Sequence, residues 1–112
     1  MPRGDIIWVD FPVPVGHEQA GQRPALVVHD DDTQGTVSII AIIPFSSSQA
    51  AVRFPHTIPV KPSSQNGLQN DSILLIFQLR AIDRRRVRGK MGRLEAQTQQ
   101  LVDDELRQML GL

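Results

Sequence analysis

The chain contains no cysteine. That absence excludes a disulfide framework, a thiolate zinc site and a cysteine nucleophile, so the fold must be held by packing alone. It also lacks net charge, with twelve Lys and Arg balancing twelve Asp and Glu, so overall charge points to neither a polyanionic nor a membrane partner. Long apolar runs are missing too. The longest, Ile39–Phe45, is far short of the roughly 20 residues that span a bilayer. The opening MPRGDIIWVDF carries Asp5 and no small-residue cleavage site, so a cytoplasmic protein is expected.

What is present fits one folded domain over residues 1–112. Hydrophobic residues make up 40% of the 112, enough to form a core rather than a disordered chain. The charge is unevenly placed. Residues 1–79 carry four basic and seven acidic groups, residues 80–93 seven basic and one acidic, and residues 94–112 one basic and four acidic. The segment RAIDRRRVRGKMGR is therefore a local positive field able to attract phosphates, or else a solvated surface strand and turn.

Strand signals dominate the first 80 residues. Asp5–Phe11, Pro24–Asp30, Val37–Phe45 and Ser72–Phe77 are short runs rich in Val, Ile, Leu and aromatics, separated by turn residues. His56–Val60 is a weaker fifth strand, because Pro59 lacks a donor and suits an edge or a bulge. Asn66-Gly67 marks a turn. In the C-terminal segment the period changes: Leu94, Leu101, Val102, Leu106, Met109 and Leu110 fall on one stripe of a helix of about four turns. The expected fold is a small, curled, mainly antiparallel β barrel with a C-terminal helix packed on it.

The chemistry-bearing residues are few. His17, His29 and His56 stand alone without helical ligand spacing, and the consecutive Asp30–Asp32 lack the alternate spacing of a calcium loop, so no metal site is expected. No nucleophile elbow, Walker loop or dinucleotide fingerprint occurs. One polar cluster remains, inside the twelve-residue connection Pro12–Arg23, a length more often functional than decorative. It places the His17 imidazole, the Glu18 carboxylate and the Arg23 guanidinium within seven residues. Pro24 restrains Arg23 toward extended geometry. Such a set suits an anionic transition state, with guanidinium for phosphate oxygens and imidazole or carboxylate for proton transfer. A polar loop closed by an Arg-Glu pair is the alternative.

RGDIIWVDF, GHEQAGQRPALVV, PFSSS and NDSILLIFQLRAIDRRRV together resemble the MazF/PemK family of toxin ribonucleases, in order and over nearly the whole chain. The resemblance implies an SH3-like barrel with a C-terminal helix, a homodimer, and cleavage of single-stranded RNA without a metal to give a 2′,3′-cyclic phosphate and a 5′-hydroxyl. It implies no cofactor, and a cognate antitoxin that blocks the RNA groove. Arg23 matches the family's active-site arginine, Ser46 stands where many members carry a phosphate-contacting threonine, and His17 and Glu18 match loop positions implicated in some members. Gln78 corresponds to an RNA-contacting glutamine; Ser47, Arg53 and Arg80 are further RNA-contact candidates. Phe77 replaces an acidic residue of some members and Leu75 an arginine of one branch, so that branch's base-and-acid pair is absent. Catalysis then rests on Arg23, Ser46 and the His17-Glu18 loop.

The chain's five aromatics are Trp8, Phe11, Phe45, Phe54 and Phe77. Most are expected in the core, leaving RNA to be held by phosphate contacts and a few base-edge hydrogen bonds rather than a broad stacking platform. The rival reading is a non-enzymatic toxin of the same fold, resembling the gyrase poison CcdB, or a degenerate nuclease that acts by binding protein.

Overall fold

The computed structural model describes residues 1–11, 21–29 and 38–112. Its strands are β1 (Asp5–Phe11), β2 (Gly21–Val27), β3 (Ile39–Ser46), β4 (Thr57–Val60), β5 (Ser72–Leu75), β6 (Arg80–Asp83) and β7 (Val87–Arg93), followed by helix α1 (Ala96–Leu110). All seven strands join one antiparallel sheet in the order β4-β5-β3-β2-β1-β7, with β6 also on β3. A mainly β fold with a C-terminal helix is thus borne out.

Alternation along β1 serves two cores. Ile7, Val9 and Phe11 pack with Ala25, Val27, Ile40, Ile42 and Ile82. Ile6 belongs to the other cluster, where Leu26, Ile43, Phe45, Leu74 and Ile76 meet Leu94 and Val102.

Strand β3 is the hub, and its proline explains its bend. Ile39–Ile42 pair with Asp83–Arg80 of β6, whereas Phe45 and Ser46 pair with Leu74 and Ile73 of β5. Pro44 falls in the gap between the two ladders, where a residue without an N–H costs no ladder bond. Opposite that gap the chain from β5 to β6 leaves the sheet as a 3-10 turn, Ile76–Gln78. The expected strand Ser72–Phe77 therefore ends at Leu75. His56, at φ 58°, anchors this turn, its carbonyl accepting from Ile76 N (3.0 Å) and Phe77 N (3.3 Å).

The basic segment 80–93 is built as strand, turn and strand. Asp83 caps the turn Arg84–Arg86 by accepting from Arg85 N, and hydrogen bonds from the Arg85 side chain and backbone hold its carboxyl down at about 2. Along β7, Arg88 pairs with Asp10 (3.2 Å), while Lys90 (3.4 Å) and Arg93 (3.0 Å) share the buried Asp5. Much of the local positive field is thus spent on docking β7 to β1.

Helix α1 corrects part of the expected stripe. Val102 is fully buried, with Leu106 and Met109 against the same core, but Leu101 and Leu110 are 55% and 53% exposed. These two lie about 80–100° around the helix from Val102, outside the contact strip. Leu94 is buried but precedes the helix, which begins at Ala96. No helix among the described residues is long and apolar enough to cross a membrane.

Candidate functional site

Arg23 sits inside β2 opposite Val9, rather than at the end of the expected Pro12–Arg23 loop. The β1–β2 ladder runs on to Phe11 and Gly21, so the strand starts before Pro24. Pro24 is tolerated because β2 meets β3 only from Ala25 onward, leaving its other flank an edge. The Arg23 side chain is 9% exposed and its Nη2 donates to the Phe45 carbonyl at 3.1 Å. Desolvation lowers its pKa from the ordinary arginine value, yet a guanidinium starts so high that it stays charged at neutral pH.

That hydrogen bond brings Arg23 to the end of β3, where Ser46 follows Phe45. Ser46 is 1% exposed, and its Oγ accepts from Ser48 N at 3.0 Å, leaving the O–H as a donor. Arg23, Ser46 and Ser47 share one cleft of about 250 Å³. The structure thus joins three of the nominated residues, Arg23 with Ser46 and Ser47 more than 20 positions further along the chain, through β2–β3 pairing.

The remaining nominations fall elsewhere or outside the described residues. His17 and Glu18 lie outside them, as does Asp30–Asp32. Arg53 is exposed at the end of a 3-10 turn (Gln49–Arg53), its guanidinium 5.1 Å from the Phe54 ring centroid. Phe54 in turn contacts Phe77, centroids 5.6 Å apart. Gln78 closes the turn between β5 and β6, with its Oε1 buried and unbonded among the described residues. Arg80 stacks over Phe11 at 5.5 Å. Arg53, Gln78 and Arg80 do not line the Arg23 cleft.

Several cleft residues carried no signal that sequence reasoning used. Trp8 comes from β1, Gln22 from β2, Met91 from β7, and Leu68, Gln69 and Asn70 from the loop before β5. Of the aromatics, Phe11 and Phe45 are buried as expected, but Trp8 is half-buried in the cleft and Phe54 and Phe77 are exposed.

The wall at residues 68–70 is fixed by a buried amide. Asn66 is 0% exposed. Its Oδ1 accepts from Ser63 N and Leu68 N, both at 3.0 Å, and its Nδ2 donates to the Lys61 carbonyl (2.9 Å) and to Glu95 (3.2 Å). Burial pushes the Glu95 carboxyl up, but hydrogen bonds from Ser63, its own backbone and Asn66 outweigh it and leave the pKa lowered. Next in the chain, Gly67 has φ 71°, and a Cβ there would lie 2.2 Å from the Met91 carbonyl. The loop is clamped onto β7 where only glycine fits.

The sequence matches the family of PemK-like, MazF-like toxins of type II toxin-antitoxin systems over residues 2–110. It is 31% identical over 114 residues to endoribonuclease EndoA of Bacillus subtilis (strain 168), covering 100% of this chain and 96% of that protein. MazF from Deinococcus radiodurans has the same fold in its crystal structure, with TM-score 0.79 and 26% identity over 100% of this chain and 97% of that one. An endoribonuclease in complex with its cognate antitoxin, from a mycobacterial species, shares the fold at TM-score 0.77 and 16% identity, over 100% and 96% of the two chains. With the family matched from Pro2 to Leu110 and a relative at 31% identity spanning the chain, the protein belongs to the PemK-like, MazF-like toxin family of type II toxin-antitoxin systems.

Proposed function

We propose that the chain is an endoribonuclease toxin that cuts single-stranded RNA at short sequence motifs without a metal ion, and that a cognate antitoxin neutralises it. The observation that carries the reading is the cleft lined by both a buried, charged Arg23 and Ser46. Its relative EndoA is named as an endoribonuclease, and the mycobacterial structural neighbour is complexed with its antitoxin.

In the reaction proposed, the ribose 2′-oxygen attacks the adjacent phosphorus while the bond from phosphorus to the 5′-oxygen breaks. The 2′-hydroxyl proton passes to a base, His17 or Glu18, and a solvent water gives a proton to the departing 5′-oxygen, leaving a 2′,3′-cyclic phosphate and a 5′-hydroxyl. Arg23 clamps the non-bridging oxygens and Ser46 donates to them. A guanidinium with a pKa above about 12 is a poor acid, so its role is electrostatic. Ser47 borders the same phosphate; Arg53, Gln78 and Arg80 would contact RNA beyond the cleft. Incubating the purified chain with a long RNA in EDTA and mapping the ends tests this. Discrete cuts bearing cyclic phosphates are expected, and RNA left intact would overturn the reading.

The active form is proposed to be a homodimer. Val52, Phe54 and Phe77 form an exposed apolar patch. Glu105 of α1 bonds His56 beside it, at 2.9 Å, and Leu101, one turn earlier on the same side of the helix, extends the apolar surface. A second copy would bury this face. Light scattering should give about twice 12.5 kDa, and a monomer that still cleaves RNA would contradict it.

A further inference from the structure

Trp8 pairs across the sheet with Pro24 on one side and Gly89 on the other. Directly opposed residues of an antiparallel ladder project to the same face, so the indole is flanked by a compact ring and by no side chain at all. A Cβ at Gly89 would meet nothing within 4 Å. The half-buried indole therefore borders open space, in the cleft that also holds Arg23 and Ser46. A planar aromatic beside a phosphate-binding guanidinium is the combination that holds single-stranded nucleic acid, because every base offers a π-face to stack.

The other groups there are amides. Gln22, Gln69 and Asn70 are exposed side chains lining the same cleft. Each offers two N–H donors and a carbonyl acceptor without charge, a donor-and-acceptor set that matches the edge of an unstacked base. The Asn66 lock and the tight fit of Gly67 against Met91 hold Gln69 and Asn70 in place.

We propose that Trp8 and the amides of Gln22, Gln69 and Asn70 form a base pocket beside the scissile phosphate, which sets the nucleotide preference of the cut. This rests on the nuclease reading, in which the Arg23 cleft holds that phosphate.

Trp8 is the chain's single tryptophan and there is no tyrosine, so intrinsic fluorescence reports on this cleft alone. The probes are 2′-O-methyl RNA hexamers of A, C, G and U, which lack the attacking hydroxyl, and an abasic hexamer of equal charge. At least one base-bearing hexamer should quench Trp8 strongly and the abasic one should not. With labelled hexamers, Trp8→Phe should retain binding, whereas Trp8→Leu, apolar but non-stacking, should weaken it roughly 5- to 150-fold. Gln69→Leu and Asn70→Leu should change the nucleotide preferred at the cut. If no base-bearing hexamer quenches more than the abasic one, or Trp8→Leu binds as tightly as wild type, the base pocket is wrong. Cleavage of RNA by the wild type would then leave the nuclease reading standing. Base-dependent quenching in a protein that cuts no RNA would keep base stacking on Trp8 and overturn both the nuclease and the pocket's part in choosing the cut.

Discussion

Arg23→Ala should lower RNA cleavage by about 10² or more, the usual scale for removing one preorganised donor from a developing charge. Its effect is not purely electrostatic, because Arg23 Nη2 also donates to the Phe45 carbonyl at 3.1 Å. A buried carbonyl left unsatisfied costs about 1–3 kcal/mol, so the alanine variant should melt somewhat lower while remaining folded. Arg23→Gln separates the two effects, since its amide can donate to Phe45 but carries no charge. It should recover much of the melting temperature and little of the activity. Arg23→Lys should restore charge without the planar two-pronged contact and so rescue only in part. Growth arrest on expression should follow cleavage across the series. A variant that stays fully toxic without cutting RNA would favour action by protein binding.

The largest expected loss of stability lies in the loop that forms the cleft wall. Asn66→Ala removes four hydrogen bonds from a fully buried position and strands the amides of Ser63 and Leu68. At about 1–3 kcal/mol for each group left unpaired, the loss should be roughly 2–6 kcal/mol in denaturant unfolding. Asn66→Asp keeps the oxygen that accepts from Ser63 N and Leu68 N but loses the Nδ2 donor and sets a second carboxylate beside Glu95, so its cost should fall between wild type and alanine. Gly67→Ala should cost about 3 kcal/mol or more and lower the melting temperature by about 10 °C or more. Its Cβ would collide with the Met91 carbonyl at 2.2 Å, at a φ of 71° that alanine resists. Both substitutions should also weaken cleavage, because Gln69 and Asn70 are held by that clamp. If Asn66→Ala unfolds at the wild-type denaturant concentration, the clamp does not hold the wall.

The sequence makes part of this legible for physical reasons that differ by segment. Alternation exposes β1 residue for residue, Asp5–Phe11, since its apolar side chains feed two cores. Strands β6 and β7 hide inside a basic run. Strand β6 is four residues long and buries only Ile82, while β7 is shallowly buried and is tied to β1 by Arg88, Lys90 and Arg93 reaching Asp10 and Asp5, an interaction no hydropathy period records. The helical stripe is visible but too wide, because Leu101 and Leu110 flank the contact rather than join it. At the site, Arg23 and Ser46 are found through their motif blocks. Trp8 and Asn70 lie inside two of those blocks, but nothing in the blocks themselves gives either a role, and Gln69 lies outside them. They meet only because β1 pairs with both β2 and β7, and because the loop before β5 is fastened to β7.

The central claim is that the RNA's own 2′-hydroxyl is the nucleophile and that Arg23 stabilises the charge it creates. Single-turnover cleavage in EDTA of an oligonucleotide spanning a mapped cut, against the same oligonucleotide with one 2′-deoxyribose at the cleaved step, tests it most directly. The ribonucleotide should yield a cyclic phosphate, and the deoxy analogue should bind in the cleft and stay whole. Cleavage of the deoxy analogue, or loss of all cleavage in EDTA, would contradict the account.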